Sequence, residues 1–129
     1  NGNQSSNYGE EKTYDGSRHY PDFRCKSDFR RDLDAEIHTA CGSDMMSDVL
    51  AFVKDQSVLL TGLMNPQVVR TAEMMDMHCI VFVRDKEPDA TVLQLAEQRD
   101  MTVLQTRYRM FTACGKLYDA GLRGGCEKE

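Results

Sequence analysis

The sequence predicts an α/β domain built on a mostly parallel sheet with helices on both faces. Short apolar stretches alternate with segments whose apolar residues recur at helical spacing, and the connections between them are short. Such alternation is typical of parallel sheets that helices cover on both sides. The stretch 79–83 is apolar along its whole length, as a parallel strand buried on both faces should be.

Four strands and four helices follow from this pattern. The strands are predicted at residues 36–41, 57–61, 79–83 and 101–105. The helices are expected to begin at Ser43 or Asp44, at Asn65, at Pro88 and Asp89, and at Tyr108. Asn65 is a good cap and Pro66 suits the first helical position, where a missing N–H does least harm. The last helix should end at Ala120, because Gly121 is a natural terminator.

The helical spacing also predicts which side chains face the core. From the first three helices these are Met46, Val49, Leu50 and Val53; Val68, Val69, Ala72 and Met75, with Met74 as a further candidate; and Val92, Leu93 and Ala96. We read most of the eight methionines as adaptable core filler.

The chain divides into a polar arm, one folded domain and a short tail. Residues 1–32 contain no Val, Ile, Leu or Met, so the arm, residues 1–33, should be mobile, with Tyr20, Phe23 and Phe29 as its only anchors to the body. The domain is expected at residues 34–123, and the tail at 124–129. The total of 129 residues suits a single domain.

Composition excludes several classes of protein. The 40% hydrophobic and 29% charged residues fit a globular protein and argue against a collagen, a coiled coil or a disordered chain. A net charge of −5 argues against general nucleic-acid binding, and no apolar run approaches the ~20 residues of a membrane span. The absence of C-x-x-C spacing and of an apolar leader predicts a reducing, cytoplasmic setting.

Ligands of parallel sheets collect beyond the carboxyl ends of the strands. The candidate ligand-binding residues there are Cys41, Gly42, Ser43, Asp44, Thr61, Gly62, Asn65, Arg84, Thr106 and Arg107. A glycine-bearing turn into a helix, as at Gly62, can bind an anion, and Arg107 with Arg109 can hold a phosphate or carboxylate. Capping and turn formation explain Ser43, Asp44 and Asn65 equally well, so both interpretations stay open.

The cysteines suggest a second kind of site. Cys41 follows the first strand, and Cys114 precedes Gly115 within the last helix. Together they are candidate metal ligands, but two thiolates need further ligands from a dimer or another protein to hold an iron–sulfur cluster. A glycine inside a helix costs ~1 kcal/mol relative to alanine, so Gly115 is expected to pack closely against another backbone. No catalytic residues can be assigned from spacing.

Several blocks resemble a known family. Residues 40–51 (ACGSDMMSDVLA) followed by 61–67 (TGLMNPQ) resemble a stand-alone DRTGG domain, and residues 80–86, 95–97 and 111–118 are similar to the same group. The resemblance covers residues 35–122, although the literal Asp-Arg-Thr-Gly-Gly string is absent. It implies a fold like the non-catalytic N-terminal domain of HPr kinase/phosphorylase, whose kinase phosphate loop lies in another domain, and a kinship with the regulatory domains beside CBS pairs in some pyrophosphatases.

Two functions follow from the resemblance. The first is a non-enzymatic regulatory or interaction domain that senses a small anionic ligand at the strand ends and forms a homodimer or binds a partner protein. The alternative is an iron–sulfur or redox accessory protein of an iron-only hydrogenase or electron-transfer system. Family members usually begin with an apolar helix and strand, which residues 1–32 do not resemble. That departure predicts an uncovered sheet edge, open to association.

Overall fold

A computed structural model describes residues 22–26, 38–52 and 58–124 of the chain. Its sheet has five strands in the order β1-β5-β4-β3-β2. Strands β2 to β5 are parallel to one another, and β1 runs antiparallel to β5. The strands are β1 (Phe23–Cys25), β2 (Ala40–Gly42), β3 (Val58–Thr61), β4 (Cys79–Phe82) and β5 (Thr102–Thr106).

The helices described here cover both faces of this sheet, which confirms the predicted fold class. They are α1 (Met46–Phe52), α2 (Gln67–Met74), α3 (Ala90–Gln98) and α4 (Met110–Asp119). The first three pack on one face against Leu59, Ile80 and Val103. The last packs on the other face against Leu60 and Val81. This division follows the two-residue period of a strand, which sends neighbouring side chains to opposite faces.

The helix ends carry the predicted signals. Asn65 Oδ1 accepts a hydrogen bond from Gln67 N at 2.7 Å, and Pro66 already has helical backbone angles. Asp89 caps α3, because its Oδ1 accepts from Val92 N at 3.0 Å. Gly121, just beyond α4, has a φ of +118°, a conformation that glycine adopts without a steric penalty. None of the helices in the described ranges has the length and apolar character required to cross a membrane.

Two of the expected core positions are wrong. Met74 is 70% exposed and Leu50 is 40% exposed. Met74 lies two residues after the buried Ala72, which is more than half a turn around the helix. Leu50 lies one residue beyond the buried Val49, about 100° around the helix, and remains at the exposed margin of the buried side. Val53 lies outside the described residues. The close packing expected at Gly115 is not observed either, because nothing among the described residues lies within 4 Å of a Cβ placed there.

Two predicted strands are displaced. The last strand begins and ends one residue later than expected, although Met101 stays buried. The first runs over Ala40–Gly42, and Thr39 forms an isolated parallel bridge with Arg123. Residues 36 and 37 of that prediction are not described. Arg123 therefore lies along the outer edge of β2, where Ala40 N donates to its carbonyl at 3.0 Å.

Strand β1 is not predicted by the sequence pattern, and it lies within the arm that was expected to be mobile. Phe23 pairs with Thr106 in the sheet, is 1% exposed and joins the core beneath α4. Lys26 N extends the pairing by donating to Val103 O at 2.7 Å. Phe23 thus anchors the arm as predicted, but through a strand. The other expected anchors, Tyr20 and Phe29, lie outside the described residues.

Replacing Phe23 by alanine should lower the free energy of unfolding by about 3–5 kcal/mol, the usual cost of deleting a buried aromatic side chain. Urea denaturation followed by circular dichroism measures this loss. Leu50→Ala is the control, because it removes an apolar side chain that is already 40% exposed. A loss at Phe23 no larger than that at Leu50 would show that β1 is not part of the packed sheet.

Candidate functional site

The predicted loops lie together along one edge of the sheet. In the register, Thr61 pairs with Phe82, and Phe82 pairs with Gln105. Gly42 pairs with Leu60, so the loop after β2 begins at the same level. The antiparallel β1 brings its first residues to this edge as well. The candidate residues, spread over more than sixty positions of the sequence, are therefore neighbours along the carboxyl edge.

Asp44 joins the loop after β2 to the end of β3. Its Oδ1 accepts hydrogen bonds from Thr61 Oγ1 at 3.0 Å and from Gly62 N at 2.7 Å. Thr61 Oγ1 in turn accepts from Leu63 N at 3.1 Å. Asp44 was one of the two predicted caps of α1; its carboxylate instead links two loops. Ser43, the other predicted cap, accepts from Met45 N at 3.0 Å.

The loop after β4 is held in an unusual conformation. Arg84 and Asp85 both have positive φ values, 62° and 57°. The left-handed region costs roughly 1–2 kcal/mol per residue for a non-glycine. Two backbone bonds hold them there: Arg84 N donates to Tyr108 O at 2.7 Å, and Asp85 N donates to Thr106 O at 2.8 Å.

The Arg84 side chain lies over Gly62. A Cβ added at Gly62 would stand 2.5 Å from Arg84 Nη2, so the missing side chain makes room for the guanidinium. The sequence predicted that the turn at Gly62 could bind an anion, but the group that lies against Gly62 is an arginine of the chain itself.

A polar cavity of about 280 Å³ opens at this edge between β1, β5 and the loop after β4. Its lining residues are Asp22, Arg24, Asp85, Gln105, Thr106 and Arg107. We call it the polar cavity. Thr106 and Arg107 were predicted site residues. Asp22 and Arg24 were missed, because nothing in the arm's composition indicates that it reaches the sheet.

Asp22 is engaged with two groups at the rim of the polar cavity. Tyr108 donates its hydroxyl to Asp22 Oδ2 at 2.5 Å, and Arg107 Nη2 lies 3.9 Å from Asp22 Oδ1. Asp85 Oδ1 accepts a long bond, 3.4 Å, from Gln105 Nε2. Within the described ranges, Arg24 makes no ion pair. The cavity thus combines the guanidinium groups of Arg24 and Arg107 with the carboxylates of Asp22 and Asp85. The Asp22 carboxylate is already paired with Arg107.

Backbone N–H groups of the loop after β3 already donate hydrogen bonds within the chain. Gly62 N, Leu63 N and Gln67 N each donate to a side-chain oxygen of Asp44, Thr61 or Asn65. An anion bound at the start of α2 would have to displace these acceptors. The turn at Gly62 is therefore poorly suited to bind an anion. The polar groups left exposed at this edge are therefore chiefly side chains, among them the arginines of the polar cavity.

An apolar cavity of about 170 Å³ lies on the other side of β2, beneath α4. Cys41 and Cys114 both line it, and a Cβ added at Gly42 would stand 2.8 Å from Cys114 Sγ. Burial, with a smaller effect of the Cys114 thiol, raises the pKa of Cys41 to about 11. Burial also raises the pKa of Cys114. Both thiols are therefore protonated at neutral pH.

This donor set does not fit an iron–sulfur cluster held by one chain. Cluster ligands are thiolates, and two cysteines supply half of the usual four. In the part of the chain that the structure describes, no group of three or more His, Cys, Asp or Glu residues is placed to hold a metal ion. The structure does bring the predicted pair, Cys41 and Cys114, to the same cavity.

Comparisons with known proteins agree with the fold. No family model matches the sequence, and no curated protein matches it. The chain is similar to a solved structure of the CBS and DRTGG domains of the regulatory region of Clostridium perfringens pyrophosphatase, complexed with its activator, diadenosine tetraphosphate. The TM-score is 0.52 and the sequences are 15% identical over 60% of this chain. The match covers 34% of that chain, so the likeness supports a DRTGG-like fold and no more.

Replacing Asp44 by alanine should destabilise the domain by about 1–3 kcal/mol, because the buried Thr61 hydroxyl and Gly62 N–H lose their acceptor. Asp44→Asn keeps the Oδ1 acceptor and should cost clearly less. Urea denaturation of the two variants beside the parent chain measures both effects. Equal losses in the two variants, or no loss in either, would contradict the role of Asp44 as the acceptor that joins the loops.

Cys41 should react slowly with iodoacetamide in the folded protein. Ordinary cysteines are largely ionised at pH 9, whereas a pKa of about 11 leaves about 1% thiolate. Because folding raises this pKa, Cys41 stabilises the fold below about pH 8.5 and loses that contribution as the pH rises toward 11. Mass spectrometry after timed alkylation gives the rate, with the urea-unfolded chain as the reference. Equal rates in the folded and unfolded chains at pH 8–9 would contradict the raised pKa.

Proposed function

We propose that this domain is a non-enzymatic regulatory module that binds a small anionic ligand in the polar cavity. One observation carries the proposal: Arg24 and Arg107 line a single cavity at the carboxyl edge, beside the Thr106 hydroxyl and the Gln105 amide. Guanidinium groups bind phosphate and carboxylate oxygens through paired N–H donors.

The carboxylates of the cavity narrow the class of ligand. Asp22 and Asp85 would repel a bare anion but accept hydrogen bonds from hydroxyl or amino groups. A ligand that carries both, such as a nucleotide or a sugar phosphate, matches the lining better than inorganic phosphate does. The loose 3.9 Å pair between Arg107 and Asp22 leaves the guanidinium able to turn toward a phosphate. The pyrophosphatase region of similar fold has a nucleotide activator, which makes nucleotides the first probes to test.

A regulatory role is favoured over catalysis by the state of the nucleophilic groups. The Thr61 hydroxyl donates to Asp44, and Thr106 Oγ1 accepts from Tyr108 N at 3.3 Å. The thiols of Cys41 and Cys114 are held in their protonated form by burial. The carboxylate bonded to the Thr61 hydroxyl, that of Asp44, also accepts a hydrogen bond from Gly62 N, which favours a structural role for this contact. We further propose that the module works in the cytoplasm by associating with a second copy or a partner protein.

The alternative function, an iron–sulfur or redox accessory protein of a hydrogenase system, rests on Cys41 and Cys114 alone. Their shared cavity favours it, but their raised pKa values oppose ligation, and two further ligands would have to come from another chain. We therefore prefer the regulatory function.

A nucleotide should raise the melting temperature of the domain. At ten times its dissociation constant a ligand adds about 1.4 kcal/mol of stability, which raises the Tm of a domain this size by roughly 5–10 °C. The probes are AMP, ATP, diadenosine tetraphosphate, ribose 5-phosphate and inorganic phosphate, with adenosine as the uncharged control. Scanning fluorimetry gives the shift.

Matched variants locate the binding. Arg24→Ala and Arg107→Ala should each abolish the shift, whereas Arg70→Ala should leave it intact. Arg70 is an exposed arginine of α2 that does not line the polar cavity, so it controls for the loss of one positive charge. No shift with any phosphorylated probe, or an undiminished shift in Arg24→Ala and Arg107→Ala, would overturn the proposal.

A further inference from the structure

Two neighbouring residues direct donors at the carboxylate of Asp22. The Tyr108 hydroxyl donates to Oδ2 at 2.5 Å, a length typical of charge-assisted O–H···O⁻ bonds, and Arg107 Nη2 lies 3.9 Å from Oδ1. Asp22 stands 86 positions before Tyr108 in the sequence, so the contact joins the polar arm to the segment that leads into α4. Tyr108 and Arg107 thus already hold one oxyanion, and that oxyanion belongs to the chain itself.

The Tyr108 hydroxyl is positioned by contacts that do not depend on Asp22. The backbone N–H of Tyr108 donates to Thr106 Oγ1 at 3.3 Å, and its carbonyl accepts from Arg84 N at 2.7 Å. The Tyr108 ring lies 6.1 Å from the ring of the buried Phe23 and packs against the same core. If Asp22 moved away, the hydroxyl would therefore remain in place as a donor.

Cationic groups lie near the same residue. Arg107 Cζ and Lys116 Nζ lie 5.7 Å and 5.4 Å from the centroid of the Tyr108 ring. Arg24 lines the polar cavity together with Asp22. Guanidinium and hydroxyl donors of this kind bind the oxygens of a phosphate or carboxylate group. The surroundings of Asp22 are therefore suited to an oxyanion whether the chain or a ligand supplies it.

We propose that Asp22 occupies, in the free domain, the place of an oxyanion of the ligand, and that the ligand displaces it to bind Arg107 and the Tyr108 hydroxyl. The inference rests on the proposed function and deepens it. It adds Tyr108 to the residues that bind the ligand and makes Asp22 an internal competitor. The apparent affinity is then reduced to the fraction of molecules in which the contact with Asp22 is open.

The position of Asp22 allows this displacement. The side chains of Arg107 and Asp22 are 71% and 40% exposed, and ion pairs between exposed groups are weak. Asp22 also precedes Phe23, the first residue of β1, so it lies outside the pairing of β1 with β5. The contact can therefore open without any change in the sheet.

Calorimetric titration with AMP and with inorganic phosphate tests the competition. Asp22→Asn removes the charge that Arg107 faces and should tighten binding about tenfold if the contact is closed in about nine parent molecules out of ten. Asp85→Asn is the matched control. It removes the other carboxylate of the polar cavity, which is bonded to Gln105, and so measures the general effect of one negative charge fewer. Equal gains in the two variants, or no gain in Asp22→Asn, would overturn the inference.

The role of the Tyr108 hydroxyl is tested in the Asp22→Asn background. Adding Tyr108→Phe should weaken the binding of AMP by about tenfold, the usual contribution of a hydrogen bond to a charged group. The phenylalanine ring keeps the position beside Phe23 and Lys116, so the melting temperature of the double variant should stay close to that of Asp22→Asn. An unchanged affinity in a double variant that is folded would contradict ligand binding by Tyr108.

The same titrations distinguish the failure of this inference from that of the proposed function. If AMP binds the parent chain and not Arg24→Ala, while Asp22→Asn gains nothing, the polar cavity binds the ligand and Asp22 is not its competitor. If neither probe binds the parent or Asp22→Asn, the proposed function and this inference both fail. Binding that is detected in Asp22→Asn alone would support both.

Discussion

The burial of β3 and β4 on both faces is the constraint on which the rest of the structure depends. All four residues of each strand are buried, so each strand needs a helical layer on both sides. Helical crossovers between parallel strands supply one layer, and α4 supplies the other. The same crossovers bring the carboxyl ends of the four parallel strands, β2 to β5, to one edge. The site is thus a consequence of how the core is covered, and the residues that form it need no proximity in the sequence.

At that edge the backbone amides are bonded within the chain, which leaves side chains as the groups that a ligand could contact. Asp44, Thr61 and Asn65 take up the amide hydrogens of the loop after β3, and the carbonyls of Thr106 and Tyr108 hold the left-handed pair at Arg84 and Asp85. A rim held by these bonds would need little ordering if a ligand bound, which would lower the entropic cost of binding. The loop after β3 also differs from the phosphate-binding loops of nucleotide-hydrolysing proteins. Those loops bind phosphate through free backbone amides, whereas the amides here are already bonded.

The sequence predicts the parts of this structure that depend on neighbouring residues. It does not predict the parts that depend on contacts with distant segments of the chain. The apolar run of β4, the cap at Asp89 and the terminator Gly121 each carry a signal within a few residues, and each prediction is confirmed. Strand β1 carries a single large apolar residue, Phe23, and no periodicity, so only pairing with β5 makes it a strand. Asp22 and Arg24 reach the polar cavity for the same reason. Asp44 was expected to be a cap because a carboxylate that caps a helix and one that bridges two loops look identical in sequence.

The polar cavity and helix α4 are joined by a very short piece of chain. Thr106 and Arg107 line the cavity, and Arg109 is the cap residue of α4. Between them, Tyr108 donates to Asp22 at the cavity rim while its ring lies 5.4 Å from Lys116 Nζ on α4. A ligand that draws Arg107 away from Asp22 would therefore act on a residue that also touches the helix. Residues 106–110 therefore connect the polar cavity directly to α4, without any longer path through the core.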